Sequence, residues 1–110
     1  MTGARPVHEV KANLFRVLGH PARVRILELL REGERSVGAL QAELELDSGG
    51  TSQHLSALRR IGLVESRREG TSVFYRVGDE HAFELLEAGR AIIARQLAEQ
   101  QALLRELETT

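Results

Sequence analysis

The 110-residue sequence contains no cysteine and no tryptophan. The first absence excludes disulfides, thiolate metal sites, thiol redox sensing and a cysteine nucleophile. Proline occurs twice and aromatics make up 4% of the chain, so aliphatic side chains must fill the core. No apolar run approaches the roughly 18 residues needed to span a bilayer, which argues against a membrane partner. Met1–Pro6 has no apolar segment of the kind a secretory leader carries, and the expectation is a cytoplasmic protein. No glycine-rich phosphate cradle and no acid–base pair stands out, so nothing points to an enzyme or calls for a cofactor. What is present, 42% hydrophobic and 28% charged residues, fits one globular domain over 1–110 and excludes extended disorder.

Net charge is also nearly absent, at −1, but its distribution is uneven. Residues 1–50 balance, with seven basic and seven acidic groups. Residues 51–77 hold five arginines against Glu65 and Glu69, a local excess of three. Residues 78–110 carry an acidic excess of four. Local field decides phosphate binding more than net charge does, so the middle segment is the candidate surface for a polyanion.

Glycine, proline and serine divide the chain. Val7–Leu18 has Val10, Leu14, Val17 and Leu18 at helical spacing, and Gly19 ends it. Pro21 opens a second helix, to Glu32, with a broad apolar face. Ser36 is a suitable N-cap for a third, to Leu44. Glu45–Gly50 reads as a turn, and helix resumes near Thr51 and runs to Ile61, with Gly62 as its stop. The period then changes to two. Leu63–Arg68 and Ser72–Val77 read as strands of a hairpin around Glu69-Gly70-Thr71. Asp79 to about Leu107 is a long final helix.

Short helix, turn, second helix with a polar outer face, then a basic hairpin: this order is the plan of a winged helix-turn-helix, mainly α with a β-hairpin wing. The second helix of such a pair enters the major groove of duplex DNA. Leu55, Leu58 and Ile61 supply its inward face. Thr51, Ser52, Gln53, His54, Ser56, Arg59 and Arg60 supply donors for base edges and phosphates. Arg67, Arg68, Thr71 and Ser72 do so near the hairpin tip. Some of these have a second use open to them. His54 can equally hydrogen-bond within the fold. Arg67 and Arg68 alternate along a strand, so one face of the pair at most points easily to DNA, and either can pair with Glu65 or Glu69.

The last helix keeps its apolar stripe beyond what one small domain needs to cover. With Val10 and Leu14 of the first helix, Leu85, Leu86, Gly89, Ile92, Ile93 and Leu97 form a candidate dimer seam, and Gly89 allows close helix approach. The expected division is dimerisation by 7–18 and 79–107 and DNA binding by 36–77.

Three stretches carry a more specific signal: Leu18-Gly-His-Pro-Ala-Arg-Val-Arg-Ile-Leu27, Thr51-Ser-Gln-His-Leu-Ser-Ala-Leu-Arg-Arg-Ile-Gly-Leu-Val64 and Arg67-Arg-Glu-Gly-Thr-Ser-Val-Phe-Tyr75. In this order and spacing they resemble the ArsR/SmtB family of bacterial repressors. The resemblance implies a homodimer joined through its first and last helices. It also implies repression at a palindromic operator and release of DNA on binding an effector. Many such proteins bind zinc through Asp-x-His at the start of the last helix and His-x-x-His or His-x-x-Glu later on the partner. Here Asp79-Glu80-His81 matches the first half, but Ile92 and Arg95 stand where the second half falls, and neither is a zinc ligand. No metal is therefore expected, and no residue pattern names another effector. Two rivals keep the fold: a metal sensor with unfamiliar ligands, and a protein-interaction module without DNA binding.

Overall fold

A computed structural model describes residues 5–110; the first four, part of the Met1–Pro6 stretch, lie outside the described residues. The order is α1 (Val7–Leu18), α2 (Pro21–Leu30), β1 (Arg35–Ser36), α3 (Val37–Leu44), α4 (Ser48–Arg60), β2 (Val64–Glu69), β3 (Ser72–Val77) and α5 (His81–Thr109). Three antiparallel strands stand in the order β1-β3-β2.

Local chemistry accounts for most boundaries. Pro21 occupies the first turn of α2, where its missing N–H costs nothing, and His20 Nδ1 accepts the Ala22 N–H at 3.0 Å. Ser36 Oγ accepts the Ala39 N–H at 3.1 Å and caps α3. Gly62, at φ +81°, closes α4: its N–H reaches Arg59 O, and Leu63 N–H reaches Leu58 O. This paired return satisfies carbonyls that a helix end leaves open. Gly70, at φ +62°, opens the two-residue hairpin turn between Glu69 and Ser72, a conformation costly for a residue with a Cβ.

Several boundaries differ from the sequence reading; β2 runs Val64–Glu69 rather than Leu63–Arg68, and α5 His81–Thr109 rather than Asp79 to about Leu107. α4 begins at Ser48 rather than near Thr51, because Asp47 Oδ1 accepts the Gly50 N–H at 2.6 Å and starts the helix one turn early. α2 ends at Leu30, two residues short of Glu32. The two-residue β1 was not expected. It exists only because Arg35 and Ser36 meet Tyr75 and Phe74 across the sheet, a pairing distant in sequence.

The core joins the end of α1, α2, α3, α4, the base of the wing and the start of α5. Ile26, Leu27, Leu40, Leu55, Leu58 and Ala82 are fully buried. Burying each leucine or isoleucine of this set favours the fold by about 1.5–3 kcal/mol relative to exposure. α5 is anchored only by its first turns, through Ala82, Leu85 and Leu86. From Ala91 onward every residue of α5 is exposed. Its 29 residues reach about 44 Å at 1.5 Å per residue. The chain measures 65 × 45 × 23 Å with a radius of gyration of 18.1 Å, against about 13 Å for a compact domain of this size.

Candidate nucleic-acid interface

The early start of α4 places Thr51 within its first turn, on the same helical face as Leu55 and Leu58. Its side chain points inward. It is fully buried, and its Oγ1 donates to Asp47 O at 3.0 Å. Thr51 is thus a core residue, in line with Leu55 and Leu58, and not a DNA-facing one. His54 also turns inward. Its Nδ1 accepts from Arg23 Nε at 3.1 Å, and its ring lies 4.3 Å from that of His20. Of the two uses open to His54, the structure shows the hydrogen bond within the fold, by which the half-buried ring links α4 to the start of α2.

Burial depresses the His54 pKa below its ordinary value, and the nearby His20 and Arg23 charges add to the effect. The unfolded chain then binds a proton more readily than the folded one. Stability from this group is present above an ordinary imidazole pKa of about 6.5 and is lost as pH falls below it. Thermal unfolding from pH 8 to 5 should show this loss in the wild type. It should be smaller in His54→Gln, which keeps an acceptor for Arg23 but does not titrate. Parallel curves for the two proteins would contradict the assignment.

Ser52 and Gln53 are exposed, Ser56 is half-buried, and Arg59 and Arg60 are exposed. At 100° per residue, positions 52, 53, 56 and 60 form one strip along α4, with Arg59 at its edge. Gly49 extends the strip toward the N-terminus; the sequence reading had placed it in a turn. Arg59 Nη1 donates to Ser66 Oγ at 3.1 Å, tying the end of α4 to β2.

Register sorts the wing. Arg68 stands opposite Val73, and Ser66 opposite Tyr75, so these four share the sheet face turned toward the helices. Arg67 stands opposite Phe74 on the other face. There its guanidinium grips both oxygens of Glu34 at 2.6 and 2.8 Å, lies over the Phe74 ring and approaches Glu69. The fork–fork geometry holds the Glu34 carboxyl below its usual pKa, chiefly through the Arg67 hydrogen bond. Arg67 braces the wing against the loop before β1 through Glu34 and also meets Glu69, one of the two partners its position on the strand offered. Neither predicted partner was Glu34, which lies 33 residues away. Glu65 instead pairs with Arg76. Thr71 and Ser72 are exposed at the tip.

Arg25, Arg35, Arg76, Arg90 and Arg95 also have carboxylate partners. By contrast Arg59, Arg60 and Arg68 have none among the described residues. Nor do Arg16 and Arg23, which line a hollow with Arg60 beside the end of α4. Sequence reasoning passed over Arg16 and Arg23 because they lie on α1 and α2; only packing brings them to α4. A strip of short polar side chains flanked by unneutralised guanidinium groups suits a polyanion with readable edges.

The seam residues lie elsewhere. Val10, Ile92, Ile93 and Leu97 are 51–56% exposed, an apolar face to which Val7, Phe15, Leu103, Leu104 and Leu107 add. Phe15 was missed because it falls off the Val10–Leu14 stripe. Leu14, Leu85 and Leu86 are partly covered by their own core. Nothing within 4 Å occupies the position a Cβ would take on Gly89. Asp79 Oδ1 holds His81 through both its backbone N–H and its Nδ1, at 3.0 and 2.7 Å. Those bonds lower the Asp79 pKa and raise that of His81. Ile92 and Arg95 are exposed on α5, and Arg95 faces Glu99.

Comparison with known proteins agrees with this geometry. Residues 20–66 match the family model described as bacterial regulatory protein, arsR family. The HTH-type transcriptional regulator Rv0081 of Mycobacterium tuberculosis strain H37Rv is 43% identical over 105 residues, 94% of this chain and 92% of that one. Its crystal structure superposes with a TM-score of 0.81, covering 88% of this chain and 98% of that one. The biofilm growth-associated repressor of Agrobacterium fabrum is 43% identical over 81 residues, 74% of this chain and 69% of that one. The Mb0332 fragment from Mycobacterium bovis, solved as a homodimeric winged helix-turn-helix DNA-binding domain, is 32% identical with a TM-score of 0.73, covering 88% and 94%. With this fold, this exposed strip on α4 and these relatives, the chain belongs to the ArsR family of bacterial regulatory proteins and is a winged helix-turn-helix transcriptional regulator, not an enzyme.

Proposed function

We propose that this regulator is a cytoplasmic homodimer that represses transcription by binding a palindromic operator. The observation that carries the reading is the strip Ser52, Gln53, Ser56 and Arg60 on α4, exposed apart from the half-buried Ser56 and bordered by Arg59 and Arg68, which have no carboxylate partner among the described residues. α4 lies in the major groove, Gln53 reads a base edge, and Arg68, Thr71 and Ser72 of the wing meet the adjacent backbone. In this reading residues 36–77 form the DNA-binding unit, and 7–18 and 79–107 join two copies. The exposed apolar face of α1 and α5 supports the second part, as does the open space over Gly89. Repression is the direction carried by the Agrobacterium relative's name.

Zinc control is not part of the proposal. Asp79 and His81 hydrogen-bond each other, and the partner positions hold Ile92 and Arg95. A gel-shift titration against the DNA upstream of its own gene tests both points. Retarded complexes should form, with an affinity unmoved by micromolar zinc, nickel, cobalt or chelator. Failure to retard any duplex would remove the DNA reading. Stoichiometric sub-micromolar zinc binding, lost in His81→Ala, would restore metal sensing.

A further inference from the structure

A hollow of about 410 Å³ opens between the start of α3, α4 and the wing. Ser36, Val37 and Gly38 form one wall, Ser52 a second and Thr71 a third, and Tyr75 also lines it. No carboxylate does. Tyr75 is only 8% exposed, yet its hydroxyl has no hydrogen-bond partner among the described residues. A hydroxyl lining a hollow open to solvent has water as its partner in the free protein and is available to exchange it for a ligand's acceptor.

The other walls carry further donors. Ser36 Oγ is occupied by the Ala39 N–H. The N–H groups of Val37 and Gly38 lie in the first turn of α3, where no helix supplies an acceptor, and they carry the positive end of the helix dipole. Ser52 adds a hydroxyl from the same strip as Gln53. Donors converge here from three elements, and the missing member is an acceptor, small and approached from solvent. In a helix-turn-helix, the helix before the recognition helix crosses the DNA backbone, which brings a phosphate to this opening.

We propose that the hollow is an anion site that holds one backbone phosphate of bound DNA. Tyr75 Oη–H, Ser52 Oγ–H and the first N–H groups of α3 are its donors. The site rests on the DNA-binding reading above and adds a contact that the exposed residues alone do not reveal. Because its walls belong both to the helix pair and to the wing, the phosphate also fixes the angle between them.

The test is Tyr75→Phe, which removes one oxygen and keeps the ring in the core. Binding is measured by fluorescence anisotropy on a 30-base-pair duplex of scrambled sequence at low salt, where backbone contacts dominate. Loss of a hydrogen bond to a charged group should weaken binding about tenfold. The salt slope should not change, since tyrosine carries no charge. The melting temperature of the free protein should hold or rise, because no bond within it is broken; a marked fall would assign the hydroxyl to the fold and overturn the proposal. So would equal binding by Tyr75→Phe and wild type. In a second arm, inorganic phosphate replaces chloride at equal ionic strength. A larger loss of DNA affinity in the wild type is expected, because free phosphate competes for the donors that hold the backbone phosphate. Equal response of the two proteins would show that the Tyr75 hydroxyl takes no part in holding a phosphate and would overturn the proposal. A wild type that binds no duplex would instead sink the underlying DNA reading, whatever the mutant does.

Discussion

Ile93→Glu should convert the protein from a dimer to a monomer at micromolar concentration. Ile93 is 56% exposed in one chain and borders an apolar groove with Phe15, Leu18, Leu85, Leu86 and Gly89. In a dimer joined through α1 and α5 the new carboxylate would be buried without a partner, at a cost of several kcal/mol. In the single chain the same position faces water, so the fold should survive, and circular dichroism should show unchanged helix content. Two recognition helices must stand roughly 34 Å apart to read both halves of a palindrome. Their linkage makes the second contact intramolecular, so its loss should weaken operator binding by about 10²–10⁴-fold. Sedimentation equilibrium checks the assembly and anisotropy checks the affinity, with Ile93→Leu as the control that retains both. A mutant that sediments as a dimer would place the interface elsewhere.

The second large effect separates reading from positioning. Gln53→Ala should cost about 1–3 kcal/mol of discrimination at one base pair, because a bidentate contact to an adenine edge disappears. Binding to scrambled duplex should change little. Arg68→Ala should do the reverse. It should weaken operator and scrambled DNA alike and reduce the slope of log K against log salt by about one, the signature of one lost phosphate contact. Arg67→Ala provides the contrast. With its guanidinium held by Glu34 and laid over Phe74, its removal should loosen the wing without a comparable change in salt slope. If Arg67→Ala and Arg68→Ala exchange behaviours, the register argument for the two wing faces is wrong.

The sequence by itself determined the order and kind of nearly all the elements. Those features are local. Ser36, Pro21, Gly62 and Gly70 act within a few residues of where they stand, and the change of period from 3.6 to 2 after Gly62 needs no distant partner. The polar strip of α4 was legible for the same reason, since Leu55 and Leu58 fix which side is inward. The inward place of Thr51 was also within reach: it lies four residues before Leu55 and seven before Leu58 on one helical face. It was hidden by Ser48-Gly49-Gly50, which reads as turn until the cap at Asp47 is known.

Only the tertiary structure decided the rest. Arg67 and Glu34, 33 residues apart, and His54 and Arg23, 31 apart, meet because elements pack, and no local rule joins them. β1 forms for the same reason, because a two-residue strand has no signal of its own and is defined by Phe74 and Tyr75 across from it. For Arg67 and His54 the sequence supplied a side chain with several possible partners, and packing selected among them. Which arginines are left over for DNA is therefore a property of the fold: a charge is available to a ligand only after the protein's own carboxylates have taken theirs.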